Sequence, residues 1–550
     1  MKLELIDYAI ISVYFLFVIS IGLLLKRRIR TGSDFLTGSH QIPLWIASLA
    51  FISANLGAQE VLGMAANGAK YGLYTTHFYW LGAATAMIFL GIYMMPFYYG
   101  SKARSVPEYL KLRFDEKTRT LNAVSFAAMT VFSSGISLYA LAMLMETILK
   151  WNFDVCIWAA AGIVLVYTFL GGLTSAVYNE VLQFFLIVLG IAPLVIIGLY
   201  RVGGWHGIVQ HVDDIKLHVW RGLGNSSRNP MGVDLVGIVF GLGFVLAFGY
   251  WCTDFLVVQR AMVSRSLQDA RRTPIIASVP KILMPAIVIL PGLLILALQK
   301  MGGNFALPVS PSGQTNYNMV LPVMLKELYP NGMLGVGITA LIASFMSGMA
   351  GNVTAFNTVW TFDIYQAHIR RQASERHYLY VARMTTVAGI LISVATAYTA
   401  KSFNSIMDLL QLIFSFVNAP LFATFLLGMF WKRASGDGAF WGLLSGIAAA
   451  AATYGLTVAE GKGGWIAPLH EFYSATGQAF NIAWISFLVC LSVTIAVSLC
   501  TPARKPAELE GLVYSMTRRE KDPVRVWYAN PLWLGLGVLA VTILLNIIFF

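Results

Sequence analysis

The sequence predicts an all-α polytopic membrane protein of about fourteen transmembrane helices, ten of which make two five-helix inverted repeats. Three observations carry this. Of the 550 residues, 57% are apolar and only 12% charged, about half the charged fraction of a soluble domain. Apolar runs of about twenty residues, the length that crosses hydrocarbon as a helix, recur along nearly the whole chain. Two of these runs, five spans apart, are interrupted by glycine and polar residues, the sequence sign of broken helices at matching places in inverted repeats.

In chain order, the first seven spans are expected near 6 to 25, 43 to 68, 77 to 100, 121 to 149, 155 to 175, 178 to 201 and 232 to 259. Seven more are expected near 275 to 300, 332 to 362, 379 to 400, 404 to 430, 438 to 457, 481 to 501 and 531 to 550. The first is not a cleavable leader, because Lys26, Arg27, Arg28 and Arg30 follow its apolar run instead of preceding it. A single transmembrane domain results, with a first inner loop at 26–42, repeats at 43–201 and 232–430, and additional C-terminal helices at 438–550. Threaded with both termini outside, the inner loops hold 26 Lys and Arg and the outer segments 11, as the positive-inside rule requires. The net charge of +12 is therefore read as orientation in a lipid bilayer and not as a nucleic-acid surface. The four cysteines lie in apolar runs without metal-ligand spacing, and no cofactor motif is present.

Function is sought where polar groups enter hydrocarbon, because each costs about 2.5–3.5 kcal/mol there. Glu60, Glu180, Asp254 and Lys281 lie within spans, with the neutral Asn55, Gln59, Gln183 and Gln411. Interhelical hydrogen bonding alone would account for any one of them. Their distribution argues for more. The second span reads Ser53-Ala54-Asn55-Leu56-Gly57-Ala58-Gln59-Glu60, and backbone unwound at such a place is tolerated only where it faces a cavity or an ion. The seventh span has weak points at Gly241-Leu242-Gly243 and Gly249-Tyr250-Trp251. In the ninth, Ser344 and Ser347 share a helix face with Gly348 and Gly351. Their hydroxyls, with carbonyls near Ser53 and Leu56, suit a hard cation such as sodium; a small-residue packing stripe is the other reading. Lys281 either snorkels to the interface or is buried, with Glu60 as its candidate partner. Asp254 is expected to organise a gate with Gln259 and Arg260.

Several motifs together resemble the solute:sodium symporter family, in particular its sodium/sugar cotransporter branch. They are Ser53 to Gly68, Gly171 to Phe185, Tyr250-Trp251 with Gln259-Arg260, Lys281 through Pro291-Gly292, Thr361 to Tyr365, and Phe425 to Arg433. The resemblance, over roughly residues 35 to 440, implies a LeuT-type fold with a 5+5 inverted repeat. It also implies solute contacts from Asn55, Glu60, Lys281 and Gln411, and an aromatic gate at Tyr250 beside Trp251. Sodium would be held by the carbonyls of Ser53, Leu56 and Ser344 and the hydroxyl of Ser347, with Glu180 near the sodium path. This chain departs from the family in three places. Gly348 stands where relatives have a second hydroxyl, and Ala247 where an asparagine is expected. The third span has Thr76-His77-Phe78-Tyr79-Trp80 in place of an acid, so His77 or Tyr79 must supply the hydrogen bonding there.

The functional expectation is a plasma-membrane symporter, not an enzyme, in which inward sodium flow drives uptake of a hexose such as galactose or glucose by alternating access. A proton- or sodium-coupled relative carrying a carboxylate, amino acid or polyol is the alternative. A membrane enzyme would need a nucleophile elbow, zinc motif or phosphate loop, and a transporter-like sensor would need a signalling domain longer than the loop at 502–530.

Overall fold

The computed structural model describes residues 3–26, 36, 42–309, 313–401, 403, 405–517 and 530–550. Most of the expected first inner loop, with Arg27, Arg28 and Arg30, and residues 518–529 of the last inner loop lie outside them.

Helix α1 (Leu5–Lys26) is followed by α2 (Leu44–Asn55) and α3 (Ala58–Tyr71), two halves of one span bent by 55°. Then come α4 (Phe78–Gly100), the short α5 (Val106–Arg113), α6 (Glu116–Leu149) and the long α7 (Phe153–Val202). The expected fifth and sixth spans are both in α7, separated at Gly172, whose φ of 53° and ψ of −154° break the helix. Beyond the outer helix α8 (Gly204–His211), α9 (Gly237–Thr253) and α10 (Phe255–Met262) form a second broken pair, bent by 50°. The chain continues through α11 (Leu267–Lys300), the short α12 (Val320–Leu328), α13 (Met333–Ile369), α14 (Glu375–Ala400) and α15 (Ile406–Phe430). The last helices are α16 (Gly436–Leu456), α17 (Ala475–Cys500) and α18 (Pro531–Ile548). Among the described residues eleven helices are long and apolar enough to cross a membrane, and the two bent pairs bring the number to thirteen. The remaining expected span is the shorter apolar stretch Phe153–Val166 of α7.

Helix ends follow the chemistry of their caps. Asp115 accepts Thr118 N–H to start α6, and Ser405, Ser435 and Ser474 do the same for α15, α16 and α17. Gly203, at a φ of 88°, closes α7. Between α16 and α17 lies a three-stranded sheet in which β1 (Thr457–Ala459) runs antiparallel to β2 (Lys462–Gly463) and parallel to β3 (His470–Phe472).

Two packing units surround the broken helices. In one, α13 lies against α6 and α7 while α14 covers α6; in the other, α15, α16 and α17 pack together, with α9 beside α15 and α17. Helix α3 approaches α11 so closely that a Cβ on Gly68 would stand 2.3 Å from the carbonyl oxygen of Ile289, a backbone contact of the kind small residues permit between membrane helices.

The second interruption differs from expectation. Gly249 is helical, and the break comes at Asp254, where ψ reaches 117°. Gly249 is instead a contact residue, because a Cβ there would lie 2.8 Å from Asn418 O on α15. Gly241 and Gly243 lie in a π-helical stretch, Gly237–Leu246, whose wide turns continue into the α-helix without a gap.

Candidate functional site

The first break sets both halves of the site. At Leu56, ψ turns to 42°, Gly57 is extended, and α3 restarts at Ala58. Leu56 O, released by the break, accepts the Ser344 hydroxyl of α13 at 2.7 Å, and Ser53 O accepts the Ser347 hydroxyl at 3.1 Å. All four residues are fully buried. Two carbonyl and two hydroxyl oxygens therefore converge where α2 ends against α13, the donor set that hard cations take. Of Ser344 it is the hydroxyl that reaches this junction, where the resemblance implies the carbonyl. Gly57 and Gly348 touch back to back here, and a Cβ on Gly348 would stand 2.9 Å from Gly57 Cα.

One residue before Leu56, Asn55 faces the opposite way, into an interior cavity. Asn55, Gln59, Glu60, Tyr79, Tyr250, Trp251, Lys281 and Gln411 line it, with Met64, Phe78, Met407 and Phe414 among the apolar members. Lys281 is buried, so it does not snorkel. Its ammonium donates to Asn55 Oδ1 and Glu60 Oε1 and sits 4.8 Å from the centre of the Tyr79 ring and 5.1 Å from that of Trp251, where each ring face attracts a cation. Asn55 Nδ2 in turn donates to Tyr250 Oη at 2.9 Å, and Tyr250 stacks on Phe414 with ring centres 5.0 Å apart. The hydrogen bond drawn for Gln411 among the described residues is a long 3.8 Å contact to Met407 Sδ, which leaves its amide open to a solute. The cavity has about 50 Å³ of room for water centres, enough for several waters at roughly 10–15 Å³ each, so its polar groups can be solvated before a solute arrives.

Asn55, Glu60, Tyr79, Tyr250, Trp251, Lys281 and Gln411 are thus brought together, and Ser53, Leu56, Ser344 and Ser347 meet beside them. His77 is not. Its Nε2 lies 2.7 Å from Val219 O and its ring stands edge-on to Trp220, in the segment that follows α8; Tyr79 is the polar residue of that stretch that lines the cavity. Glu180 gives both carboxylate oxygens to Arg260, at 2.6 and 3.2 Å, in a fully buried pair. The pair lies about one helical turn beyond Ser347, since Arg260 Nη2 would be 3.4 Å from a Cβ on Gly351. Asp254 takes no part in that pair. Its side chain caps α10 by accepting Leu256 N–H at 2.9 Å, while Arg260 donates to Gln259. Gln183 bonds Tyr14 of α1 and has a packing role.

Other polar groups had no local signature. At the far end of α3, Lys70 bridges Asp408 of α15 at 2.9 Å and Glu460 of the β1–β2 turn at 2.7 Å, and Thr476 of α17 donates to the same aspartate. At the opposite end, Arg119 pairs with buried Asp363 at 2.8 Å, and Arg113 donates to the carbonyls of Gly428, in the last turn of α15, and of Trp431 and Ala434 just beyond it. The first of these contacts explains part of the Phe425 to Arg433 motif: a carbonyl in the last turn of a helix needs a donor.

The Sodium:solute symporter family profile matches residues 35–446. The chain is 28% identical to sodium/glucose cotransporter 4 of Danio rerio, over 94% of this chain and 82% of that one. It is 27% identical to human sodium/myo-inositol cotransporter 2, over 80% of this chain and 68% of that one. The fold is similar to that of a Na+-coupled sialic acid symporter in a substrate-bound outward-open state, with a TM-score of 0.77 at 20% identity, covering 92% of this chain and 100% of that one.

Proposed function

The chain belongs to the Sodium:solute symporter family, and from that premise we propose that it couples inward sodium flow to uptake of a neutral polyhydroxylated solute, a hexose of the glucose or galactose kind. Family membership makes it a multi-pass, sodium-coupled solute transporter of LeuT-type fold and not an enzyme. The choice of solute rests on the cavity.

The observation that carries the reading is the Lys281–Glu60 pair facing Asn55 and two aromatic rings. An ammonium donates, a carboxylate accepts, and an amide does both. A sugar hydroxyl also does both, so neighbouring hydroxyls can insert between the members of the triad and leave every group bonded. A carboxylate solute would meet Glu60 and an amine would meet Lys281, each with like-charge repulsion in a poorly solvated site. Ring faces of Trp251 and Tyr79 suit the apolar face of a pyranose.

Chain direction sets the two gates. With the charge-rich loops inside and both termini outside in the plasma membrane (the inner membrane in a bacterium), α2–α3 runs outward. Met64, one turn beyond Glu60, together with Phe78 and Met407 then covers the outer side, while Tyr250 on Phe414 covers the inner side. The repeats run from 43 to 201 and from 232 to 430. Sodium at Ser53, Leu56, Ser344 and Ser347 fixes the break that orients Asn55, which favours the solute-ready state before the loaded protein rocks inward. Each charge moving down 100 mV supplies about 2.3 kcal/mol, roughly a 40-fold accumulation at 1.4 kcal/mol per decade.

Proteoliposomes given an inward sodium gradient should accumulate radiolabelled galactose or glucose above equilibrium and lose it when the gradient is dissipated. Parallel arms with myo-inositol, sialic acid and a pH gradient without sodium identify the solute and the ion. Hexose uptake indifferent to sodium, or accumulation of only the charged solute, would refute the proposal.

A further inference from the structure

Four oxygens at the α2–α13 junction are few for a hard cation, which takes about six or more where protein and solvent permit. The buried surroundings hold others. Ser137 of α6 is wholly buried, and among the described residues its hydroxyl has no hydrogen-bond partner; Gln59 Oε1, also buried, has none there either. Buried polar groups are nearly always bonded, so two orphans side by side ask for an explanation. Both face one spot. A Cβ placed on Gly348 would stand 2.9 Å from Ser137 Oγ and 3.6 Å from Gln59 Oε1, and one on Gly57 would stand 2.8 Å from Gln59 Oε1. Gly57 directly follows Leu56 and Gly348 directly follows Ser347, so the orphans lie against the residues next to two of the four junction oxygens.

We infer that Ser137 Oγ and Gln59 Oε1 are ligand oxygens of the sodium position, completing from α6 and α3 the set that Ser53 O, Leu56 O and the hydroxyls of Ser344 and Ser347 begin. The inference rests on the sodium-coupled reading above. The missing side chain at Gly348 is what gives Ser137 its line of approach, so the oxygen comes from α6 instead of α13. Gln59 also lines the solute cavity. Its amide therefore spans the two ligands: Oε1 turns to the cation while the rest of the side chain borders the solute.

The test uses purified full-length protein in detergent, with sodium exchanged for choline at constant ionic strength, read by melting temperature and by binding of radioactive sodium. In Ser137→Ala the sodium Kd should weaken about tenfold, about 1.4 kcal/mol. Its melting temperature in choline should be equal to or above that of the wild type, because an orphaned buried hydroxyl has been removed. Ser137→Thr keeps the oxygen and should bind sodium within threefold of wild type. A Ser137→Ala sodium Kd within threefold of wild type overturns the inference alone, as does a loss of melting temperature in choline, which would mark the hydroxyl as structural. A wild-type protein that shows no response to sodium overturns both the inference and the sodium coupling.

Discussion

Replacing Glu60 with glutamine tests the solute site most directly, because it keeps the shape and removes one charge. In the native protein Lys281 and Glu60 are both buried and joined at 2.5 Å. Breaking a buried pair by deleting one partner typically costs about 3–5 kcal/mol, since the other charge is stranded. Here the ammonium retains Asn55 Oδ1 and the faces of Tyr79 and Trp251, and the glutamine carbonyl still accepts from it. The expected loss of stability in Glu60→Gln is therefore at the lower end of that range, about 3 kcal/mol. Solute binding loses one charge-assisted hydrogen bond, about 1.5–3 kcal/mol, or roughly 10- to 150-fold in Kd at 1.4 kcal/mol per decade. Sodium binding, one residue beyond Asn55, should change less than threefold. The assay is equilibrium binding of labelled hexose at saturating sodium, alongside sodium-dependent melting. Adding Lys281→Met to Glu60→Gln removes the stranded charge, so stability should return while hexose binding stays lost. Single-variant hexose binding within threefold of wild type, or recovery of binding in the double variant, would refute the assignment of this pair to the solute.

Three further perturbations address the gates and the ion path. Tyr250→Phe deletes the oxygen that accepts Asn55 Nδ2 but keeps the stack on Phe414; hexose affinity should fall about fivefold, the value of one neutral hydrogen bond near 1 kcal/mol, and an unchanged Kd in a binding titration would contradict the contact. Arg260→Ala strands the fully buried Glu180, so detergent-extracted yield and melting temperature should drop sharply, while Glu180→Gln with Arg260→Met should recover most of the loss; a single variant as stable as wild type would disprove the pairing. Lys70→Ala unties α3 from Asp408 and Glu460, so a thiol placed by Met64→Cys should react faster with a membrane-impermeant maleimide, measured with Cys500, the exposed native cysteine, changed to serine; an equal rate would show that the bridge does not hold the outer side closed.

The parts of this architecture that could be read from sequence are those written locally. The first break was legible because Asn55, Gly57, Gln59 and Glu60 interrupt an apolar run, and polar side chains in hydrocarbon need a reason. The second was displaced by five residues because glycine has two uses: at Gly249 it admits the backbone of Asn418 and leaves the helix intact. The true signal was Asp254, a strong N-cap residue, directly before Phe255. His77 falls outside the cavity in the structure because the next six residues, Phe78–Ala83, form a π-helical turn, so a face of 3.6 residues per turn does not hold there. Glu180 with Arg260, and Lys70 with Asp408, are 80 and 338 residues apart, a separation at which no spacing rule operates. Ser137 carries no signal in the sequence because a lone hydroxyl in a membrane helix is usually satisfied by its own backbone; in the structure this one has no partner among the described residues.

Under the proposed assignment, coupling needs no pathway across the protein, because the two proposed sites share adjacent peptide units. Asn55 offers its side chain to the cavity and Leu56 offers its carbonyl to the Ser344 hydroxyl of α13. A cation that fixes Leu56 O therefore also fixes the direction of the Asn55 side chain, and a solute that holds Asn55 steadies Leu56 O in return. Linkage requires these effects to be equal: if sodium tightens hexose binding tenfold, hexose must tighten sodium binding tenfold. A shift from 1:99 to 99:1 between two states would demand about 5.5 kcal/mol of differential affinity, more than one shared residue supplies. The remainder must come from contacts that exist in only one state. The Tyr250 stack on Phe414 and the Lys70 bridge to Asp408 are the contacts proposed for that part, one for the inner side and one for the outer, each of which would open in one half of the transport cycle.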